Sequence, residues 1–369
     1  MTGKRGMAMN KNIIGNQQAI SLVFVNVLTG LGLFFTVGAS LGHNILQALV
    51  PSAVVSLFLL LLLRVIFRSM PDLCITDVAA LCGKKGCIVC YGLWIAIAFV
   101  FSALFLAAAL RMWENLDSLG MPIGLYIVVI CFLLAYGAYL GLNALARLTV
   151  LLCIIFGLLV LINTVWLIGD MQISRLLPIA PVSLPDFNSV SQKIIGCQFV
   201  LLPFIIFYLP HIKEKKQIYP TMIKGVLLAM AYYLLITLRN VLVFGDLLLI
   251  DNYPALRALR MIRWGGINYL EFPGVLMMLA LIFCGGILLW WVMVELLAGG
   301  FKVSSLDKKV KLKILLPLAV AQIVAVGFCY QFFPYLCADF FSKISLLAMI
   351  LQVLLIAFLL YQVNKKKFC

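Results

Sequence analysis

Apolar residues fill this chain in long blocks separated by short polar, glycine- or proline-bearing segments. Ten such blocks can be drawn, at about 18–40, 44–67, 88–110, 122–140, 145–169, 192–210, 225–249, 272–298, 313–332 and 344–363. A bilayer-crossing helix needs roughly 20 consecutive apolar residues. A membrane β-strand is about 10 residues long and alternates apolar with polar, which these blocks do not. Backbone groups in lipid must find partners inside their own segment, so the blocks are predicted as helices. The connections are short, so residues 1–369 are expected to form one all-α membrane domain with ten spans. The basic opening "MTGKRGMAMNKN" leads into a long apolar run without an A-x-A cleavage site, and that run is taken as the first span.

Two spans break their own pattern. The first contains "LTGLGLFFTVG", with Gly30, Gly32 and Gly38; the sixth contains "CQFVLLPFIIFYLP", with Pro203 at its middle. Glycine and proline both weaken a helix interior. Breaks at matching positions of two five-span halves, about 13–169 and 190–363, form the pattern of an inverted-repeat transporter. Five is odd, so the second half runs inverted. Such breaks expose backbone groups at the midplane, where a small ligand can bind. The other reading is structural: the glycines permit close helix packing and Pro203 is a tolerated kink. Under the first reading a cavity lies between spans one, three, six and eight. Its expected lining is Thr29, Gly30, Leu31, Gly32, Val200, Leu202, Pro203 and Phe204, and it suits an uncharged or zwitterionic ligand.

Composition agrees with a membrane protein. The chain is 65% hydrophobic and 11% charged, against about 25% charged in soluble domains. The net charge of +15 could point to nucleic acid, but its distribution explains it otherwise. With a cytoplasmic N-terminus, 20 of the 28 Lys and Arg residues fall in inner segments, seven in outer loops, and Arg239 within a span. The positive-inside rule then places both termini in the cytoplasm. Nucleic acid is not an expected partner; the lipid bilayer is.

Among the loops, "YPALRALRMIRW" (253–264) reads as an amphipathic helix on the extracytoplasmic surface, with Pro254 in its first turn and glycines ending it. The loop 170–191 is proline-rich and expected to be irregular. On the inner side, "DLCITDVAALCGKKG" predicts a short separate helix ending at a glycine. The eleven cysteines are scattered and do not form a disulfide framework. Cys74, Cys82, Cys87 and Cys90 cluster, either as small apolar filler or as a metal site, and filler is the reading adopted.

Few charges sit at membrane depth, where each costs about 2.5–3.5 kcal/mol on insertion scales. Glu295, near the inner end of span eight, can snorkel to the interface or gate. Arg239 and Asn240 lie together in span seven, with Asp246 two turns on; they serve either packing or a gate on the ligand path. Arg239 is expected to bond carbonyls or a neighbouring polar group below the 253–264 helix, with Asn240 about 100° round the helix and pairing separately. There is no midplane carboxylate for ion coupling and no P-loop, HExxH or GxSxG. The only histidines, His43 and His211, lie at span ends. An enzyme is not expected, nor a cofactor or metal.

The stretch "LLITLRNVLVFGDLLLIDNYPALRALRMIRWGGINYLE" resembles span seven and the following surface helix in the B subunits of endospore germinant receptors. "GNQQAISLVFVNVLTGLG" is similar to that family's first span, and "AYGAYLGLNALARLTVLLCIIFGLLVL" to its fourth and fifth. The resemblance implies the amino acid/polyamine/organocation transporter superfamily and a LeuT-like 5+5 fold with broken helices 1 and 6. It also implies that the chain senses a small nutrient, an amino acid or similar, in the spore inner membrane, together with A and C subunits. The alternative within the same superfamily is an active amino-acid permease. One departure stands out: where the resemblance leads one to expect a small residue and a glutamate in span six, this chain has Val200 to Leu202.

Overall fold

The computed structural model describes residues 13–32, 45–69, 75–114, 122–176, 184–249, 254–262, 271–301, 308–332 and 338–368. Twelve helices are named here in chain order. They are α1 (Asn16–Gly32), α2 (Ile45–Ser69), α3 (Ile75–Glu114), α4 (Ile123–Leu140), α5 (Leu142–Trp166) and α6 (Leu184–Phe199). The one-turn α7 (Ile205–Tyr208), α8 (Ile218–Phe244), α9 (Pro254–Met261), α10 (Glu271–Gly300), α11 (Lys308–Phe332) and α12 (Ala338–Phe368) follow. Among the described residues there is no strand, only an isolated parallel bridge between Ile14 and Ile212.

Among the described residues, seven helical stretches are long and apolar enough to cross a membrane: Ile45–Leu62, Ile88–Glu114, Ile123–Leu140, Leu142–Asp170, Lys215–Phe244, Glu271–Gly300 and Lys308–Gln331. The chain is a multi-pass membrane protein. α1, at 17 residues, and α6, at 16, are shorter, and the apolar part of α12 is Lys343–Phe358.

α3 and α10 form the centre and pack along each other. Around them α1 packs along α8 and α5, α6 along α2 and α12, and α11 along α3 and α4. α10 also meets α4, α5 and α1. α10 approaches its neighbours through small residues: a Cβ added at Gly286 would come 3.1 Å from Leu134 Cδ2, and one at Gly285 2.4 Å from Thr29 Cγ2. In lipid, which offers no hydrophobic drive between helices, such close backbone approach holds a bundle together. Outer faces stay apolar, with Phe132, Leu316 and Val324 more than half exposed, as lipid contact requires.

Two loop expectations are corrected. The inner helix predicted between spans two and three is not separate, because α3 runs unbroken for 40 residues from Ile75. A single glycine in a helix costs only about 1 kcal/mol, so Gly83 and Gly86 do not stop one that continues into an apolar span. The proline-rich 170–191 loop holds short 3₁₀ turns at Leu167–Asp170 and Ile173–Leu176, and α6 starts within it at Leu184. Pro185, at the second residue of that helix, has no intrahelical partner to lose there. Cys90 is buried. Cys74 and the side chains of Cys82 and Cys87 lie outside the described residues.

Candidate ligand site at the interrupted helix

Pro203 explains the interruption of span six. It has no N–H to give the carbonyl of Phe199, four residues back, and its ring crowds that oxygen. α6 accordingly ends at Phe199. The chain bends at Val200 and Leu201, makes a 3₁₀ turn over Leu202–Phe204, and resumes as α7.

Every residue from Val200 to Tyr208 is buried, so the polar groups at the bend need partners inside the protein. Asn26 of α1 supplies one, with its Nδ2 donating to the Leu201 carbonyl at 2.9 Å. The Phe204 N–H also donates to that carbonyl, at 3.1 Å. The Tyr208 hydroxyl lies beside the Asn26 side chain. Neither Asn26 Oδ1 nor Tyr208 Oη is in hydrogen-bonding geometry with another atom of the described residues, and both are buried, but the two side chains are close enough to interact with each other. Such groups are uncommon in finished structures. Here they place an amide oxygen and a hydroxyl side by side at the bend. Trp94 of α3 closes the other side, edge-on to Phe204 at 5.1 Å and to Phe207 at 5.0 Å.

On the α1 side of the expected lining, Thr29 Oγ1 lies 2.8 Å from both the Leu281 and the Val25 carbonyls. Gly30 is buried, Gly32 is the last residue of α1, and the Leu31 side chain lies outside the described residues. Val200, Leu202, Pro203 and Phe204 all sit at the bend. The residues the sequence reading missed are Asn26 and Tyr208. The available signal was a lone amide inside an otherwise apolar span.

Below the bend, the chain entering α1 is zipped to the chain leaving α7. The Ile14 N–H donates to the His211 carbonyl at 2.9 Å and the Lys213 N–H to the Ile14 carbonyl at 3.0 Å. The His211 ring stands edge-on to Trp291, 5.7 Å between centroids. Burial, with the nearby Lys215 charge second, pushes the His211 pKa down to about 4.

Arg239 and Asn240 lie away from the bend, in α8 under α9, and one expectation is corrected. Asn240 does not pair separately: its Oδ1 accepts from Arg239 Nε at 3.1 Å and Nη2 at 2.7 Å. The arginine side chain is long enough to curl back over its neighbour, which a 100° step between Cα positions does not forbid. Both residues are buried, Arg239 at 3% exposure. Arg239 lines a cavity of about 30 Å³ between α5, α8, α9 and α10. The Asp246 side chain lies outside the described residues, while Glu295 is half-buried on α10 and holds a partner.

The profile of one protein family, described as spore germination protein, matches residues 14–329. The chain belongs to this family. It is therefore a germination-related, permease-like membrane protein of a transporter- or receptor-like family. The match begins at the Ile14 zipper and takes in α1, the bend, Arg239 and all but the last turn of α11. No curated protein matches the chain.

Proposed function

We propose that this protein is the nutrient-sensing, transporter-like subunit of a germinant receptor. It binds a small nutrient, an amino acid or similar, at the bend after α6. The observation that carries this reading is the buried polar pair at the bend, Asn26 Oδ1 and Tyr208 Oη, adjacent to each other but in hydrogen-bonding geometry with no other atom of the described residues, beside a carbonyl that Asn26 already holds. An ammonium or hydroxyl group of a ligand fits the first, and a carbonyl or carboxylate oxygen fits the second. No carboxylate is described there, which suits a neutral or zwitterionic ligand.

A ten-span 5+5 LeuT-like repeat is part of the proposal, with α1 to α5 as one half and α6–α7, α8, α10, α11 and α12 as the other. Helix pairing supports it. Pairing α1 with α8 has its counterpart in α6 with α2, and α1 with α5 in α6 with α12. Likewise α3 with α11 answers α10 with α4, and α3 with α12 answers α10 with α5. Two copies of one five-helix unit related by a two-fold axis would generate such matched pairs. In this reading both termini are cytoplasmic, α9 lies on the extracytoplasmic surface, the membrane is the spore inner membrane, and A and C subunits complete the receptor.

A thermal-shift screen of purified protein against amino acids, sugars and nucleosides tests the function, since a ligand of the folded state raises its melting temperature. The expected result is a saturable rise with one ligand class, abolished in Tyr208→Phe. Concentrative uptake into proteoliposomes would instead identify an active permease.

A further inference from the structure

The Arg239 cavity has a chemistry of its own. A guanidinium stays charged and carries five N–H donors. Arg239 spends two of them on one neutral oxygen, Asn240 Oδ1. The others have no partner among the described residues, although the side chain is 3% exposed. Glu271, at the start of α10, is paired with Arg260 at 2.5 Å, and the described residues lining the cavity include no carboxylate. Among the described residues this buried positive charge is held only by a neutral amide, an arrangement that is strongly unfavourable unless an anion joins it.

The space beside it is built for something small. The cavity of about 30 Å³ is walled by Asn163, Leu259, Gly274 and Met277. A Cβ at Gly274 would come 2.2 Å from Leu259 Cδ1, so α9 is seated directly on α10. Asn163, also 3% exposed, has a partnerless Oδ1. A half-turn of its amide offers N–H groups in that place, since amide oxygen and nitrogen are assigned by their partners. Two buried polar side chains, one cationic and one able to donate, thus face a hole with room for one or two water-sized bodies.

We propose that this cavity binds one small monovalent inorganic anion of halide size, held by Arg239 and the Asn163 amide, which locks α9 onto α8 and α10. The proposal is independent of the nutrient site at the α6 bend, and a failure of either leaves the other standing.

The test is thermal melting of the purified full chain in detergent, in sodium chloride, bromide, acetate or gluconate at equal ionic strength. Chloride and bromide are expected to raise the melting temperature saturably over gluconate. Arg239→Gln loses that response. Asn163→Asp places a resident carboxylate beside the guanidinium; it melts in gluconate at least as high as wild type does in chloride and no longer responds to halide. Equal melting of wild type in chloride and gluconate overturns the proposal. So does a halide response that survives Arg239→Gln or, should that variant not fold, one that survives undiminished in Asn163→Asp. Stabilisation by acetate alone overturns the halide assignment in favour of a carboxylate site.

Discussion

Replacing Gly285 with alanine tests the packing that holds α1 in place beside the bend. The added Cβ lands 2.4 Å from Thr29 Cγ2, 2.7 Å from its Oγ1 and 2.8 Å from its Cβ. Rotating χ1 of Thr29 can move the first two atoms but not the third, so α1 itself must shift. Thr29 has nowhere to go: it is fully buried, and its hydroxyl sits 2.8 Å from the Leu281 carbonyl on the same α10. Overpacking by one methyl costs about 1–3 kcal/mol, and loss of that hydrogen bond about 1 kcal/mol more. The expected destabilisation is therefore about 2–4 kcal/mol, the sum of those two effects. Gly124→Ala is the control, because nothing lies within 4 Å of its added Cβ. There the same change is neutral or stabilising by up to about 1 kcal/mol, from lower backbone entropy in the unfolded chain. Tryptophan fluorescence against temperature reads both, since Trp290 and Trp291 are fully buried on α10. Thr29→Ala in the Gly285→Ala background should recover part of the loss, the Cβ contact remaining. A Gly285→Ala protein that melts with wild type, or a Gly124→Ala protein that loses as much, refutes the reasoning.

Asn26→Leu removes one of two donors to the Leu201 carbonyl and should cost only about 1 kcal/mol in stability; its larger effect should be loss of the nutrient-induced melting shift, checked in the same thermal screen. His211 titrates below its unfolded value, so the unfolded chain binds the extra proton first and stability falls with acid. The loss starts as pH drops below about 6.5 and is complete near 4, up to about 3 kcal/mol for a shift of this size, and His211→Gln should flatten the melting-versus-pH curve in that window. Arg260→Ala breaks an ion pair whose arginine is 48% exposed; melting should change by less than that of Gly285→Ala, in keeping with about 0–1 kcal/mol for exposed pairs.

The sequence by itself determined that this is a helical, multi-pass membrane protein, because run length and backbone satisfaction in lipid leave no other solution. It also marked the interruption of span six, since Pro203 cannot donate to Phe199 wherever the helix packs, and it carried the family resemblance that the profile match upholds. Local rules failed where glycine was asked to act alone: α3 passes through Gly83 and Gly86 because neither glycine outweighs the helix around it. What only the tertiary structure decided is pairing. That Asn26 meets Leu201, 175 residues away, depends on how α1 lies against the bend, and no spacing along the chain encodes it. The curl of Arg239 back onto Asn240, and the cavity that Arg239 lines beneath α9, likewise arise from which faces of α5, α8, α9 and α10 come together. Helix formation is local, set by backbone hydrogen bonds within one segment. The partner of a buried polar side chain is set by packing between segments.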